Sequence, residues 1–195
     1  MKSIALLTII LTVVSTAVAQ SSQQQIQANA KELVQRNNSP AQAQRSAQTN
    51  LRDTLNWLEN SSQAYGFVGS VSDPEKFPFG LERFAITKGS SSCEVIVNDT
   101  ILRRWDDGKV HESDSTTIVN LTKLDPTTMQ VYQTVGGWWM IKVHTTNDEH
   151  VIIFNGKTSD DSRQQFSVED EHYAYRFAKA FKHAVILCGG KPSTF

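Results

Sequence analysis

The stretch Ser167-Val-Glu-Asp-Glu-His-Tyr-Ala-Tyr-Arg-Phe-Ala-Lys-Ala-Phe-Lys-His-Ala-Val-Ile-Leu-Cys-Gly-Gly190 decides how the rest of the chain is read. Ala174, Phe177, Ala178, Phe181, Ala184, Val185 and Cys188 recur at helical spacing, so one apolar stripe runs its length. Glu169, Asp170 and Glu171 crowd its start, where the helix dipole favours negative charge. Ser167 with Asp170 three places on resembles a capping box, which puts the helix start at Ser167. Gly189 and Gly190 supply the stop. Burial of Phe177, Phe181 and Val185 stabilises by roughly 1.5–3 kcal/mol each, so the helix reads as a lid on a core.

The strands upstream say what core. From Leu81 the chain changes to short alternating runs separated by turn signals, an all-β grammar. Phe84 and Ile86 alternate in a first strand; Cys93, Val95 and Val97 share one face of a second, from Ser92 to Trp105. Asp106-Asp107-Gly108 marks a hairpin into a third strand, Val110 to Leu121. A fourth covers Met129 to Val135, and Gly136-Gly137 turns the chain into Trp138 to Thr145. With Asn147-Asp148 as a two-residue turn, Val143 faces Ile152 and Ile141 faces Phe154, which predicts a further hairpin. A seventh strand runs from Arg163 to Phe166.

The N-terminus reads as an address. Lys2, an apolar run from Ile4 to Val14 and Ala17-Val18-Ala19 predict a signal peptide over residues 1–19. That run is too short for the roughly 20 residues a bilayer span needs, so no stable membrane span is expected after cleavage. Nineteen basic residues less Lys2 stand against 20 acidic ones, a balance that argues against nucleic acid. Residues 20–50 form a Gln/Asn-rich arm, either a marginal helix or flexible, broken at Asn37-Asn38-Ser39-Pro40. Residues 51–80 hold an amphipathic helix and a Gly/Pro loop. Ala47, Leu51, Leu55 and Leu58 form its stripe, Trp57 lies beside it, and the expected end is near Asn60. Residues 81–195 are the barrel and its closing helix.

Seven antiparallel strands and a C-terminal helix, preceded by one or two N-terminal helices, resemble a pleckstrin-homology-like (PH-like) barrel by element order. This is a mainly β, α+β fold class. Thr54-Leu-Asn-Trp-Leu58, Cys93 and His183-Ala-Val-Ile-Leu-Cys-Gly-Gly-Lys191 are also similar to a group of exported bacterial proteins of unknown function. The resemblance spans Leu51 to Phe195 and implies a fold and an exported, periplasmic or secreted location, with no activity. It does not extend to phosphoinositide binding. Only Lys88 stands on the expected loop, and Arg103-Arg104 lies a strand away with its side chains on opposite faces.

Two cysteines in an exported chain favour a disulfide. Cys93 shares a strand face with Val95, and Cys188 closes the helix stripe, so both point to one core. Two separately buried thiols are the alternative, and a catalytic thiol a third. His183, five residues before Cys188, turns away from it around the helix. His144 and His150 fall on opposite faces and no metal-ligand spacing occurs, so neither metal nor cofactor is expected. His111-Glu112-Ser113-Asp114-Ser115 reads as a surface strand start. Trp138 and Met140, on the face opposite Trp139, form a candidate binding surface together with Leu51, Leu55 and Leu58. These features favour a non-enzymatic interaction module of the cell envelope whose partner is an envelope protein, a peptide or a small apolar ligand. The rival readings are a small secreted hydrolase or thiol enzyme and a purely structural envelope protein.

Overall fold

A computed structural model describes residues 40–69 and 80–194. The expected leader, the arm up to residue 39 and the Gly/Pro loop over residues 70–79 lie outside the described residues. The chain divides into two units, Met1–Ala47 and Gln48–Phe195, and every described strand belongs to the second.

Helix α1, Pro40–Tyr65, is longer at both ends than its apolar period suggests. Residues 40–50 are therefore helical. Proline suits a first helical position, where its missing N–H has no intrahelical partner anyway. Leu51, Leu55 and Leu58 are all buried in the core. The helix ends at Gly66, where an added Cβ would stand 2.5 Å from the Ser62 carbonyl oxygen and 2.6 Å from that of Phe84. The Ser62 hydroxyl, wholly buried, accepts the backbone N–H of Ile86 at 2.8 Å and so ties the helix end to the sheet.

The strands are β1 (Phe67–Val68), β2 (Leu81–Lys88), β3 (Glu94–Arg104), β4 (Val110–Asn120), β5 (Gln130–Gln133), β6 (Trp139–His144), β7 (Ile153–Phe154), β8 (Lys157–Thr158) and β9 (Arg163–Val168). All pairings are antiparallel, and helix α2, Glu171–Leu187, follows β9. The class is α+β. Instead of one seven-stranded closed barrel there are two sheets, ordered β1-β2-β3-β4-β7-β8 and β5-β6-β9. They approach where Glu169 N–H donates to the Phe67 carbonyl, and in the connection that follows β4 Leu124 bridges Thr145.

The hairpin expected about Asn147-Asp148 does not form. Both residues have positive φ, as a tight turn requires, but both edges of β6 are already taken. One pairs with β5 across Gly136-Gly137 and the other with β9, which sets Ile141 against Phe166. The segment after the turn crosses to β4, where Phe154 pairs with Thr117 and Ile153 with Ile118. Ile152 is buried, whereas Phe154 is exposed rather than facing Ile141. Asn155 and Gly156, both at positive φ, then turn β7 into β8.

Ser167 does not cap α2. It remains in β9 opposite Met140, and the Asp170 side chain accepts the Tyr173 N–H instead. The predicted stripe of α2 packs as expected. Phe177 and Phe181 meet Phe166 edge to face at 4.9 and 5.1 Å between ring centroids, and Phe84 joins Phe177 at 5.5 Å.

At the far end of α2, Cys188 is bonded to Cys93, with a Cα–Cα distance of 5.6 Å. Gly189 takes positive φ, its N–H reaching the Ile186 carbonyl while that of Gly190 reaches Val185, a Schellman ending. Gly190 has no room for a side chain. A Cβ there would lie 2.7 Å from the Leu124 carbonyl oxygen.

The bridge joins residues 95 positions apart. In the chain-entropy account such a loop contributes about 4–5 kcal/mol. Replacing both cysteines by alanine is therefore expected to lower unfolding free energy by about 3–5 kcal/mol in denaturant titrations. A reductant should lower the wild type to the same level and leave the variant unmoved.

Candidate functional site

The two helices leave an open groove of about 740 Å³, lined by Asn50, Asp53, Thr54 and Trp57 of α1 and by Arg176, Lys179, Ala180 and His183 of α2. Its shape follows from the helical phases. Leu51, Leu55 and Leu58 turn inward, which leaves Asp53, Thr54 and Trp57 on the flank toward α2. On α2 the stripe through Phe177 and Phe181 is wholly buried, which puts Arg176, Lys179 and His183 outside it. Trp57 is the aromatic wall. Its ring centroid is 6.3 Å from that of Tyr173, and the Arg176 guanidinium carbon lies 5.4 Å from it in a cation–π contact.

The residues expected to bind fare differently. Leu51, Leu55 and Leu58 are core, so their side chains are not presented to a partner. Trp138 and Met140 do lie on the outward face of the small sheet. The Trp138 ring folds over Gly136, and Met140 Sδ is 3.8 Å from the Ser167 hydroxyl. Neither of them lines the groove. Trp139 packs inward against the core and lies 5.8 Å from the ring of Tyr175. Arg103 and Arg104 are exposed at the end of β3. Another hollow, of about 420 Å³, lies along the β3–β4 hairpin, where the tilted rings of Trp105 and His111 have centroids 4.6 Å apart.

One cluster gathers the residue types of a hydrolase, in the wrong order. Asp148 Oδ1 accepts from Ser162 at 3.2 Å and meets His144 Nδ1 at 3.1 Å. Nucleophilic activation needs the histidine between hydroxyl and carboxylate, as proton acceptor. Here the carboxylate is the hub. Among the described residues no three His, Cys, Asp or Glu side chains gather for a metal ion.

Two carboxylates are shaped strongly by the fold. Asp125 is almost fully buried. Burial pushes its carboxyl up, but hydrogen bonds from Thr127 and Ser193 outweigh that and hold it below the ordinary value. The Thr127 hydroxyl donates at 2.6 Å and Ser193 N–H at 2.7 Å. The C-terminal tail is thereby fastened beside the 145–148 loop. There Asn147, at positive φ, donates its N–H to the Ser193 hydroxyl and accepts the Thr194 N–H. Asp99 is the opposite case. It shares the inward face of β3 with Val95 and Val97, beside Phe84 of β2. Burial, then the charge of Glu82, push its carboxyl up to about 7.

Arg176, Lys179 and His183 carry a readable signal, since they recur three and four residues apart off the apolar stripe. Their meeting with Trp57 is not readable, because it depends on how two helices distant in sequence pack. Compared with known proteins, the chain matches no family model, no curated protein and no solved structure. Among the described residues, no helix is long and apolar enough to cross a membrane.

The two carboxylates predict opposite pH responses. Asp125 stabilises above its ordinary value of 3.8, and that stability is lost as pH falls through its lower folded value. Asp125→Asn should cost about 1–3 kcal/mol at pH 7, since its amide turns a donor toward Ser193 or Thr127. The variant should also lack the wild type's extra loss on acidification below 3.8. Asp99 holds its proton to about 7, so wild-type stability declines as pH rises from 3.8 to about 7 and is flat beyond. Asp99→Asn should abolish that decline. At pH 8 it should be the more stable protein by on the order of 1–3 kcal/mol, a range discounted for partial exposure. Denaturant titrations across pH 2.5–8.5, each with its own variant, check both signs.

Proposed function

We propose that the protein is an exported, non-enzymatic interaction module with a PH-like plan, which works through the groove between α1 and α2. The observation that carries this reading is the groove itself. An aromatic wall, two cations, a histidine and a carboxylate converge on one open concavity, a composition suited to holding a partner. The PH-like plan draws support from the meander β2-β3-β4 in one sheet, the pairing of β5, β6 and β9 in the other, and a closing C-terminal helix. Export draws support from the leader-like residues 1–19 and from a disulfide, a bond that persists in oxidising compartments.

The test is to express the full chain in bacteria, with a photo-crosslinking residue at Thr54 or Ala180, and then to fractionate the cells. The expected result is a shortened, disulfide-bonded form outside the cytoplasm, cross-linked through the groove positions to a discrete partner and not through a control position on β8. Retention in the cytoplasm with both thiols alkylated would overturn export. Reproducible turnover in a hydrolase screen, abolished by a point substitution, would overturn the binding reading.

A further inference from the structure

We propose that the α1–α2 groove docks an acidic amphipathic helix supplied by a partner protein, an inference that rests on the binding-module reading. The chain as a whole is nearly neutral, with 19 basic and 20 acidic residues. Helix α2 departs from that balance. Beyond Glu171 it carries Arg176, Lys179 and Lys182 and no carboxylate. All three cations are exposed, as is His183.

Some surface cations elsewhere find partners within the chain: Arg52 meets Asp53, Lys88 meets Glu59, Lys109 meets Asp107, Lys123 meets Glu149 and Arg163 meets Asp161. Within the groove, Arg176, Lys179 and His183 pair with no carboxylate among the described residues, and Arg176 lies over the face of Trp57. Two cations and a histidine without carboxylate partners, beside an aromatic wall, are complementary to negative charge carried on an apolar body.

The spacing narrows the partner. Positions 176, 179 and 183 advance by three and four residues, so the row follows one edge of α2 for about 10 Å. Carboxylates at i, i+3 or i+4 and i+7 of another helix repeat at the same interval, while its apolar side chains fall toward Trp57 and Ala180. Asp53, on the opposite wall, is ion-paired with Arg52 at 3.6 Å, so the cations without carboxylate partners lie on the α2 side and the partner's carboxylates fall there. A nucleic acid or an anionic bilayer offers charge without this one-sided order.

The test uses the oxidised chain as isolated and a fluorescently labelled synthetic helix of about 18 residues, with Glu along one edge and Leu and Phe along the other. Binding is followed by anisotropy. Controls are a scrambled peptide of the same composition and a peptide with every Glu replaced by Lys. The acidic helix is expected to bind, with at least about tenfold preference over both controls, and to weaken as salt rises. The double variant Arg176→Glu/Lys179→Glu should lose about tenfold or more for the acidic helix and gain affinity for the Lys peptide. That reversal shows that the double variant is folded. Trp57→Leu should weaken binding without changing the charge preference.

Failure of the acidic helix to bind, equal binding of the scrambled peptide, or indifference to the double reversal would each overturn the proposal. So would preference for phosphatidylglycerol vesicles or single-stranded DNA through the same two residues. Photo-crosslinking at Thr54 in cells separates this proposal from the broader one. A discrete partner with no acidic-helix binding sinks only the helix assignment, whereas no partner and no helix binding sinks both.

Discussion

The Cys93–Cys188 bridge is the constraint on which the rest of the second unit depends. It fastens the end of α2 to the residue just before β3, at the point where Leu121 N–H donates to the Cys93 carbonyl. Leu121 and Leu124 are wholly buried, and Gly190 sits directly on their carbonyls. The run Leu187-Cys188-Gly189-Gly190 thus has a separate physical reason at each of its last three positions. Cys188 is the staple, Gly189 takes the positive φ that ends a helix, and Gly190 vacates the volume that the 121–124 backbone fills. Beyond that fixed end the tail runs on to Asp125 and Asn147.

Burial alone does not set the behaviour of a carboxylate. Asp125 is more deeply enclosed than Asp99, yet it stays ionised more readily than a free aspartate, because donors converge on both of its oxygens. Asp99, still partly exposed, has the charge of Glu82 for company, and no hydrogen bond offsets its loss of solvent. One carboxylate therefore stiffens the C-terminal clasp as pH rises through the acid range. The other places a pH-sensitive weakness on the inward face of the larger sheet.

The local signals were legible and the non-local ones were not. Asp107-Gly108 and Gly136-Gly137 act within a few residues, so the hairpins they close stand where the sequence puts them. The phases of Cys93 and Cys188 lead to their bridge, because a strand face and a helix stripe each point to one core. Asn147-Asp148 carries an equally good turn signal and adopts the expected backbone, yet its hairpin is lost. Nothing within ten residues of it reveals that β9 holds the competing edge of β6. The same limit hid Asp125. The turn it makes with Thr127 is local, but its contact with Ser193 joins residues 68 positions apart. Ser167 shows the converse error, in which a plausible local cap is overruled by continued pairing with Met140.

The groove is what remains once the core has taken its share of both helices. On α2 the core claims Tyr173, Ala174, Phe177, Ala178, Phe181, Ala184 and Val185, which leaves an outer arc for Arg176, Lys179, Lys182 and His183. On α1 it claims Leu51, Leu55 and Leu58, and Trp57 is left half-buried at the boundary. A tryptophan at such a boundary keeps one flank packed on Tyr173 while the other stays open to Arg176. Held on one side by the fold, it loses little freedom when a partner covers the other, and this makes a boundary aromatic a better anchor than a largely exposed one such as Trp105. The packing that excludes the leucines of α1 from recognition is thus the same packing that prepares Trp57 for it.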